Sequence, residues 1–433
     1  MSKQHSITLL LLIVCTISGW SQQNTTFIKA GALYDSKNNK LLKNKLIKIQ
    51  GSKIISIDEF ESLPENSQAI DLTEHTVLPG LIDAHTHVLF SQDANEDFAN
   101  HSVNSLTMES DALRVLRGAK RAKSYLEEGI TSIRDLGNSG LYLDVALRDA
   151  INEGTIEGPR IFASGPILAA AGGQIYGVLP EHQGIIDLEY RIINSPEDAT
   201  NAVREHLNQG VDLIKICADN IPNKTYLTID EIKSIVETAH SYNLKVTAHC
   251  VTNQSAWNAI AGGVDGIEHG FNLADSTLIQ MAEKQIYLVP TENSKAYMQA
   301  YAKLAGYKEN DLDWIKGYVD KMNQRLNRAI AKGVTIVAGS DNYTNIKVSR
   351  GKSSKDMLRY YLEAGMKPLD VLQSCTYLSA LQMGKEKEIG HLKAQTNADL
   401  IAVKGDLFTD FISTLEKVEF VMKNGKVYKN IND

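Results

Sequence analysis

Eight short apolar strands, each followed by a longer helical stretch, predict an α/β fold built around a (β/α)8 TIM barrel. Both ends of the chain instead have strand and turn composition, which predicts a small β-sandwich domain built from the two ends together. No repeat with a period of roughly 20–50 residues is visible, which argues against a solenoid. The expected division is residues 22–78 and 385–433 for the small β domain and residues 79–384 for the barrel.

The charge and length of the chain narrow the class of protein. It has 433 residues, a net charge of −7 and 22% charged residues without long runs of one sign. This length suffices for one large and one small domain with a substantial apolar core. Nucleic-acid binding usually needs a basic patch, which this charge balance argues against. We therefore expect a soluble, enzyme-sized protein with a small-molecule substrate and no nucleic-acid partner.

The N-terminus has the features of a secretory signal. Lys3 precedes the apolar stretch Ile7–Ile17, and Gly19 and Ser21 supply small residues before a cleavage position. The apolar stretch is short for a transmembrane span. We expect residues 1–21 to be a signal peptide and the mature protein to be periplasmic or secreted, without membrane association after cleavage.

Cysteine usage is sparse after removal of that segment. Cys217, Cys250 and Cys375 remain. An odd and small number does not suggest a disulfide framework, although export permits one bridge. We therefore expect the fold to be held by its core rather than by a disulfide framework.

The predicted elements follow the two-domain division. Strands of the small domain are expected at Phe27–Leu33, Leu46–Ile49, Lys53–Ile57, Ala398–Val403 and Val418–Lys429, the last with a hairpin turn at Asn424-Gly425. After the strand that carries His85, barrel strands are expected at Ile130–Arg134, Arg160–Ser164, Asp212–Cys217, Lys245–His249, Gly266–His269, Tyr287–Thr291 and Thr335–Asp341. Amphipathic helices are expected at Met108–Glu128, Asp230–Tyr242 and Trp314–Lys332, and a further helix at Lys367–Met383.

The first barrel strand ends in His85-Thr-His87. Alternation along a strand places Asp83, His85 and His87 on one face, so the two imidazoles lie close enough to hold one metal ion. Barrels of this kind carry their chemistry at the carboxyl ends of the strands. Five of the predicted strands carry metal-compatible residues there, namely His85, His87, Lys215, His249, His269 and Asp341. The sequence therefore predicts a metal site at this end of the barrel.

Lys215 is the unusual member of this set. Alternation of side chains along the strand Asp212–Cys217 directs Lys215 toward the barrel interior and Ile214 and Ile216 toward the opposite face. A bare ammonium beside divalent cations is disfavoured by desolvation and by like charge. The amine would therefore be neutral or converted to an anion, such as a carbamate able to bridge two metals. A lysine paired with a nearby carboxylate and a Schiff-base lysine are the alternatives.

These motifs resemble those of the amidohydrolase superfamily. The stretches that carry the resemblance are His85-x-His87, Lys215, Thr-Ala-His249-Cys, Ile-Glu-His269-Gly and Ala-Gly-Ser-Asp341. The closer likeness is to the imidazolonepropionase-related branch that contains metal-dependent dipeptidases, and it extends from Phe27 to Lys429. The resemblance implies that six residues bind two divalent metal ions: His85, His87 and Asp341 one ion, His249 and His269 the other, and carbamylated Lys215 both. Zinc is the expected metal, although these ligands also suit manganese and iron.

The resemblance also implies the activity. It predicts a metal-dependent hydrolase that cleaves amide (C–N) bonds in small substrates, a dipeptidase or an N-acyl amino acid hydrolase, with Asp341 as catalytic acid–base. Where the branch often has a histidine after strand 3, this chain has Gln174, whose amide can still donate to a substrate carbonyl. His182 and Tyr226 are the other candidates for substrate binding.

Several alternatives stay open at this point. A cyclic amide, a lactone or an organophosphate ester could be the substrate within the same superfamily. Lys215 argues against the mononuclear imidazolonepropionase type, and the flanking β domain argues against the phosphotriesterase type. Schiff-base lyase chemistry at Lys215 and a non-catalytic binding protein are the alternatives from other classes. Oligomeric state is open, although dimers and larger assemblies are common among similar enzymes.

Overall fold

The computed structural model of the protein describes residues 25–65, 67–308 and 312–431. The expected signal peptide, residues 1–21, lies outside these residues. In the described part of the chain, no helix has the length and apolar character that a membrane span requires.

The strands and helices follow one another in the order expected for a barrel flanked by a β domain. The strands are β1 (Thr25–Asp35), β2 (Lys40–Gln50), β3 (Lys53–Glu59), β4 (Ala69–Pro79), β5 (Leu81–Thr86), β6 (Gln92–Asp93), β7 (Ile130–Asp135), β8 (Arg160–Ala163), β9 (Ile167–Ala169), β10 (Tyr190–Ile192), β11 (Leu213–Cys217), β12 (Lys245–Cys250), β13 (Gly266–His269), β14 (Tyr287–Val289), β15 (Thr344–Asn345), β16 (Leu400–Val403), β17 (Val418–Lys423) and β18 (Lys426–Lys429). The helices are α1 (Phe98–Met108), α2 (Asp111–Glu127), α3 (Leu143–Asn152), α4 (Gln183–Ile186), α5 (Pro196–Asn208), α6 (Ile229–Ser241), α7 (Asn253–Gly262), α8 (Asp275–Glu283), α9 (Lys295–Leu304), α10 (Asp313–Ala331), α11 (Arg350–Ser354), α12 (Asp356–Glu363), α13 (Pro368–Ser374), α14 (Tyr377–Gln382) and α15 (Phe411–Glu416).

The small domain combines strands from both ends of the chain, as predicted. Its seven strands form one sheet in the order β18-β17-β16-β4-β1-β2-β3. Strand β4 lies between the two ends, parallel to β1 and antiparallel to β16. Close approach of β1 and β4 requires a glycine, because a Cβ on Gly31 would lie 1.9 Å from the Thr73 carbonyl oxygen. Apolar side chains from β1–β4, β16 and β17 share one buried cluster, so the sheet encloses its own core.

The barrel strands run parallel in two hydrogen-bonded groups. One has the order β5-β7-β8 and the other the order β10-β9-β11-β12-β13-β14. The predicted eighth strand, Thr335–Asp341, lies between β14 and β5 without forming a regular ladder. Its Val337 N–H donates to Leu288 O at 3.0 Å, and Ala84 N–H donates to Ala338 O at 2.9 Å. The regular ladders therefore do not close a complete barrel, although the strand sequence is that of the (β/α)8 fold.

One of the predicted helices is confirmed and another is divided. The segment Met108–Glu128 forms the single helix α2, whose N-terminus is capped by the Ser110 hydroxyl shortly after α1 ends at Met108. The single helix expected over Lys367–Met383 is two helices, α13 and α14, with Cys375 and Thr376 between them. Thr376 has φ −134° and ψ −96°, and its hydroxyl donates to the Leu372 carbonyl oxygen. Such side-chain bonding to the backbone competes with helix continuation.

The main core lies between the barrel strands and the surrounding helices. Ile214 and Ile216 of β11 belong to it, together with apolar residues of α5, α6 and α7. The three described cysteines, Cys217, Cys250 and Cys375, are buried and unpaired.

Candidate metal centre

The six predicted metal-binding residues line one cavity of about 210 Å³ at the carboxyl ends of the barrel strands. Strands β5, β11, β12 and β13 supply His85, Lys215, His249 and His269, and His87 follows directly after β5. Asp341 comes from the irregular eighth segment. The cavity is lined by His85, His87, Phe98, Asn138, Ile167, Gln174, Tyr176, Lys215, Ile221, Pro222, His249, His269, Asp341 and Tyr343.

His85, His87 and Asp341 form the tightest group in this cavity. One potential ligand atom from each lies within 4.8 Å of the others. Asp341 Oδ1 lies 3.2 Å from His87 Nε2 and 3.7 Å from His85 Nε2. Both His85 Nε2 and Asp341 Oδ1 are buried without a hydrogen-bond partner among the described residues. Because buried polar atoms normally have partners, these unpaired atoms fit a group that could hold a divalent cation.

The Nδ1 atoms of His85 and His87 each lie within hydrogen-bond distance of an acceptor oxygen. His85 Nδ1 lies 2.6 Å from Glu268 Oε2, and His87 Nδ1 lies 2.8 Å from the Gly137 carbonyl oxygen. Both acceptors favour a proton on Nδ1 and leave Nε2 with a free lone pair. A carboxylate or carbonyl behind the ring is the usual arrangement for histidines that bind metal.

His249 and His269 form the second half of the cavity. Their ring centroids are 4.5 Å apart, and the His269 ring lies 5.0 Å from that of His85. His269 Nδ1 is 2.8 Å from the Thr291 hydroxyl. His249 Nε2 lies 3.6 Å from Asp219 Oδ1. The imidazoles of His85, His249 and His269 are therefore close neighbours, and polar groups beside them set their orientation.

Lys215 lies deep in the cavity, with only 2% of its surface exposed. No hydrogen bond or ion pair of its ammonium group occurs within the described segments of the chain. In the β11–β12 register it is paired with Thr247, whose hydroxyl donates to Glu268 inside the barrel. Burial lowers the pKa of Lys215, which favours the neutral amine.

The protonation states of the other groups suit a cation. Burial lowers the pKa of both His85 and His249 to about 4. Burial by itself would raise the pKa of Asp341, but the neighbouring His85 and His87 hold it below the usual value. His85, His249 and His269 are thus neutral at neutral pH and Asp341 is ionised, which are the forms that bind metal. His87 differs, because the Asp341 carboxylate beside it raises the pKa of its imidazole despite burial.

Three strand-end residues adopt left-handed backbone conformations. The φ angles are +66° for His269, +64° for Thr291 and +50° for Asp341. Such angles are costly for residues other than glycine and persist where the surroundings enforce them, often at functional sites. In the β12–β13 register, Glu268 is paired with His249, so both point into the barrel. The left-handed turn at His269 therefore brings two consecutive side chains, Glu268 and His269, to the interior.

The three predicted substrate-binding residues lie in different places. Gln174 lines the metal cavity, and its Nε2 is 3.2 Å from His249 Nε2. Tyr226 lines an adjoining cavity of about 440 Å³ that shares the Ile221-Pro222 wall with the metal cavity. His182 lies on a third, more open cavity, which meets the metal cavity only at Tyr176. The structure thus brings Gln174 into the cavity with the six predicted ligands and leaves Tyr226 and His182 outside this cavity.

Several residues of the site were not singled out from the sequence. Glu268 accepts hydrogen bonds from His85, Thr247 and Arg134, the last at 2.5 Å. The Arg134 and His85 contacts hold its pKa well below the usual range despite complete burial. An acidic residue inside a buried strand, directly before His269, was the signal that could have identified it.

The remaining wall of the cavity is largely aromatic and aliphatic. Phe98 and Tyr343 have ring centroids 6.3 Å apart, and Ile167 and Tyr176 complete this side. The Tyr176 hydroxyl donates to Asp97, the N-cap of α1. Tyr176 and Tyr343 lie in loops, where alternation predicts nothing about direction, whereas Phe98 begins α1 and Ile167 begins β9.

The chain is similar to several known proteins over most of its length. Ochratoxinase from Aspergillus niger is 28% identical over 447 aligned positions, which cover 95% of this chain and 88% of the relative. The solved structure of a Xaa-Pro dipeptidase with methionine bound in its active site superposes with a TM-score of 0.80 at 28% identity, covering 94% of this chain and all of the other. Imidazolonepropionase from Fusobacterium nucleatum is 21% identical over 89% of this chain and 91% of its own length.

A family model also matches most of the chain. The model of the amidohydrolase family matches residues 76–431, which include the entire barrel and every residue of the metal cavity. It also covers the C-terminal strands of the small domain. The chain therefore belongs to the amidohydrolase family, as its histidine, lysine and aspartate motifs suggested.

Proposed function

We propose that this protein is a dinuclear metal-dependent hydrolase that cleaves the amide bond of a dipeptide or an N-acyl amino acid. Members of the family are metal-dependent, and amide hydrolysis is the activity that it supports. One observation carries the dinuclear assignment. Lys215 is buried in the same cavity as four imidazoles and Asp341 and forms no ion pair within 4 Å in the described part of the chain, so that a free ammonium beside two bound cations would be strongly disfavoured.

Conversion of Lys215 to a carbamate would resolve this conflict. The neutral amine attacks the carbon of CO₂, a C–N bond forms, and the nitrogen releases one proton to water. The product is an anion with two oxygens, each able to bind one metal ion. The lowered pKa of Lys215 favours this step, because only the neutral amine is nucleophilic.

The six residues divide into two sets of ligands. His85, His87 and Asp341 would hold one divalent cation, proposed to be zinc. His249 and His269 would hold the second, and carbamylated Lys215 both. When bound, two such cations activate a water as nucleophile at neutral pH and polarise the substrate carbonyl.

The side chains of the chain itself supply the proton transfers. Asp341 is ionised, and its Oδ1 has no hydrogen-bond partner among the described residues, so it can accept a proton from the attacking water. The same carboxyl group can then donate that proton to the leaving amine. The Gln174 amide lies beside His249 and can donate to the carbonyl oxygen as negative charge develops there.

The shape of the cavity supports a small substrate with an apolar side chain. Its volume of about 210 Å³ lies below the range of roughly 300–1,000 Å³ typical of sites for drug-sized ligands. Phe98, Ile167 and Tyr343 provide an apolar surface for a side chain next to the scissile bond. The similar structure of a Xaa-Pro dipeptidase supports a dipeptide, with a carboxyl-terminal amino acid as leaving group.

A combined metal analysis and substrate screen tests the proposal. Purified protein should contain two divalent ions per chain and should hydrolyse members of a library of dipeptides and N-acyl amino acids. Lactones and paraoxon serve as competing substrate classes, and turnover of either in preference to the amides would overturn the proposed specificity. Borohydride trapping of Lys215 with a carbonyl substrate in metal-free protein would instead support Schiff-base chemistry.

We also propose that residues 1–21 direct export, which would place the mature enzyme in the periplasm or outside the cell. The charged start, apolar centre and small residues before the cleavage position support this assignment. N-terminal sequencing of the protein from a fractionated native host tests it, with a mature chain beginning at Gln22 expected.

A further inference from the structure

His269 is held in its unusual conformation from two sides. The Thr291 hydroxyl oxygen lies 2.8 Å from Nδ1 of the His269 ring. Arg325 Nη1 donates a hydrogen bond of 2.9 Å to the His269 carbonyl oxygen. A left-handed backbone angle of +66° persists in a histidine only when its surroundings enforce it. The ring contact fixes the rotation of the imidazole, and the carbonyl contact fixes the backbone that directs it.

Arg325 reaches this carbonyl from a helix outside the barrel. It lies on α10 and is 1% exposed, so its guanidinium is enclosed by protein. Its charge is balanced by an ion pair with Glu292, which is likewise 1% exposed. Glu292 directly follows Thr291, so one short segment after β14 supplies both the ring contact and the counter-ion.

Stability does not explain this pair. Buried ion pairs commonly contribute little net stability, since desolvation offsets their attraction, and apolar replacements of similar volume are often neutral or stabilising. The pair is also incompletely satisfied, because Arg325 Nε has no hydrogen-bond partner within the described residues. What an apolar pair could not do is donate a directed hydrogen bond to the His269 carbonyl. The geometry of the Arg325–Glu292 pair therefore suits the positioning of His269 better than a contribution to core packing.

We propose that the buried Arg325–Glu292 pair is a positioning device for His269, holding this residue in the left-handed conformation that turns its imidazole toward a metal ion. The inference rests on the proposed function, in which His269 is a metal ligand. Neither residue touches the metal cavity itself. Arg325 acts through the backbone of His269, and Glu292 acts by keeping Arg325 charged and in place.

The test compares the metal affinity of two variants with that of the wild-type protein. In the double variant Arg325→Met/Glu292→Leu, apolar side chains of similar size replace the pair. In Arg325→Lys, the charge opposite Glu292 remains, but a single ammonium replaces the planar guanidinium that serves two acceptors. Zinc bound per chain is measured after equilibration with graded concentrations of a chelator. Loss of outer contacts to a metal ligand typically weakens affinity about 10–100-fold, and we expect that change for one of two ions in both variants.

Two further measurements separate positioning from general destabilisation. The urea midpoint of the metal-free protein should stay near the wild-type value in Arg325→Lys, and the visible absorption spectrum of the cobalt-loaded protein should change. The matched control is Arg160→Met/Asp399→Leu, which removes another largely buried ion pair, at the amino-terminal end of β8. This control should retain wild-type metal affinity and cobalt spectrum.

The outcomes distinguish the inference from the proposed function. If wild-type protein binds fewer than two ions, or if His269→Ala still binds both, the dinuclear assignment fails. If wild-type protein binds two ions and His269→Ala loses one, while both Arg325 variants keep wild-type affinity, only the positioning role fails. Should the double variant not fold, the result with Arg325→Lys decides.

Discussion

Replacing Lys215 with methionine should change stability in opposite directions with and without metal. The side chain is 2% exposed and has no counter-ion within 4 Å in the described chain. Methionine has a similar volume and no charge, so it removes the desolvation cost without leaving a cavity. In metal-free protein, where the lysine is an unpaired amine, we expect Lys215→Met to be equal to wild type or more stable by about 1–4 kcal/mol.

In metal-loaded protein the sign should reverse. A metal ion at a thousand times its dissociation constant stabilises the folded state by about 4 kcal/mol. Loss of the bridging carbamate removes most of this contribution for at least one ion, so Lys215→Met should then be the less stable protein. The two effects are of similar size and opposite sign, which makes the comparison more informative than either measurement alone.

Urea unfolding of both proteins, with chelator and with excess zinc, measures this change. Equal denaturant dependence in all four series shows that only stability differs. Ile216→Met is the matched control, because the neighbouring residue faces the helices and should respond equally with and without metal. A Lys215→Met effect of the same sign in both conditions would refute the reasoning. Labelling with ¹³C-bicarbonate should detect a carbamate in wild-type protein and none in the variant.

Three further predictions follow from other contacts. Glu268→Gln should weaken metal binding about 10–100-fold, because His85 loses the carboxylate behind its ring. The metal content after dialysis measures this change. A metal content equal to that of wild type would contradict the prediction. Gln174→Ala should lower kcat by roughly 100-fold with little change in metal content, because the variant loses one hydrogen-bond donor to the substrate carbonyl oxygen. An unaltered kcat would show that Gln174 has no role in catalysis. Burial lowers the pKa of Lys423 to about 8, below its unfolded value. Between about pH 8 and pH 10.5 the unfolded chain binds more protons, so wild type should gain about 3 kcal/mol relative to Lys423→Met as pH rises through this range. Urea midpoints across that range test this, and parallel profiles for the two proteins would contradict it.

The family and the class of fold could be predicted from the sequence because both depend on local pattern. Short apolar strands alternate with amphipathic helices, and metal-compatible residues follow at the carboxyl ends of the strands. Since these ends meet at one face of a barrel, residues far apart in the chain, such as His85 and Asp341, could be assigned to one site. The inward direction of Lys215 followed from alternation within a single strand.

The same local logic does not extend to loops or to long helical segments. The helix expected over Lys367–Met383 is divided at Thr376, where a hydroxyl-to-carbonyl bond replaces helical geometry. Gln174 reaches the cavity, whereas Tyr226 and His182 lie beyond it, because the course of each loop depends on the elements packed against it.

Tertiary structure also decided what surrounds the metal-binding residues. Alternation would turn Glu268 and His269 to opposite faces of their strand, yet both lie inside the barrel because His269 adopts a positive φ. That conformation is held by Arg325, which is 56 positions away in the chain. The sequence by itself determined which residue types stand at the strand ends, since periodicity is a property of neighbouring residues. Only the folded chain decided how those side chains are aimed, since that depends on buried charges and hydrogen bonds contributed by distant segments.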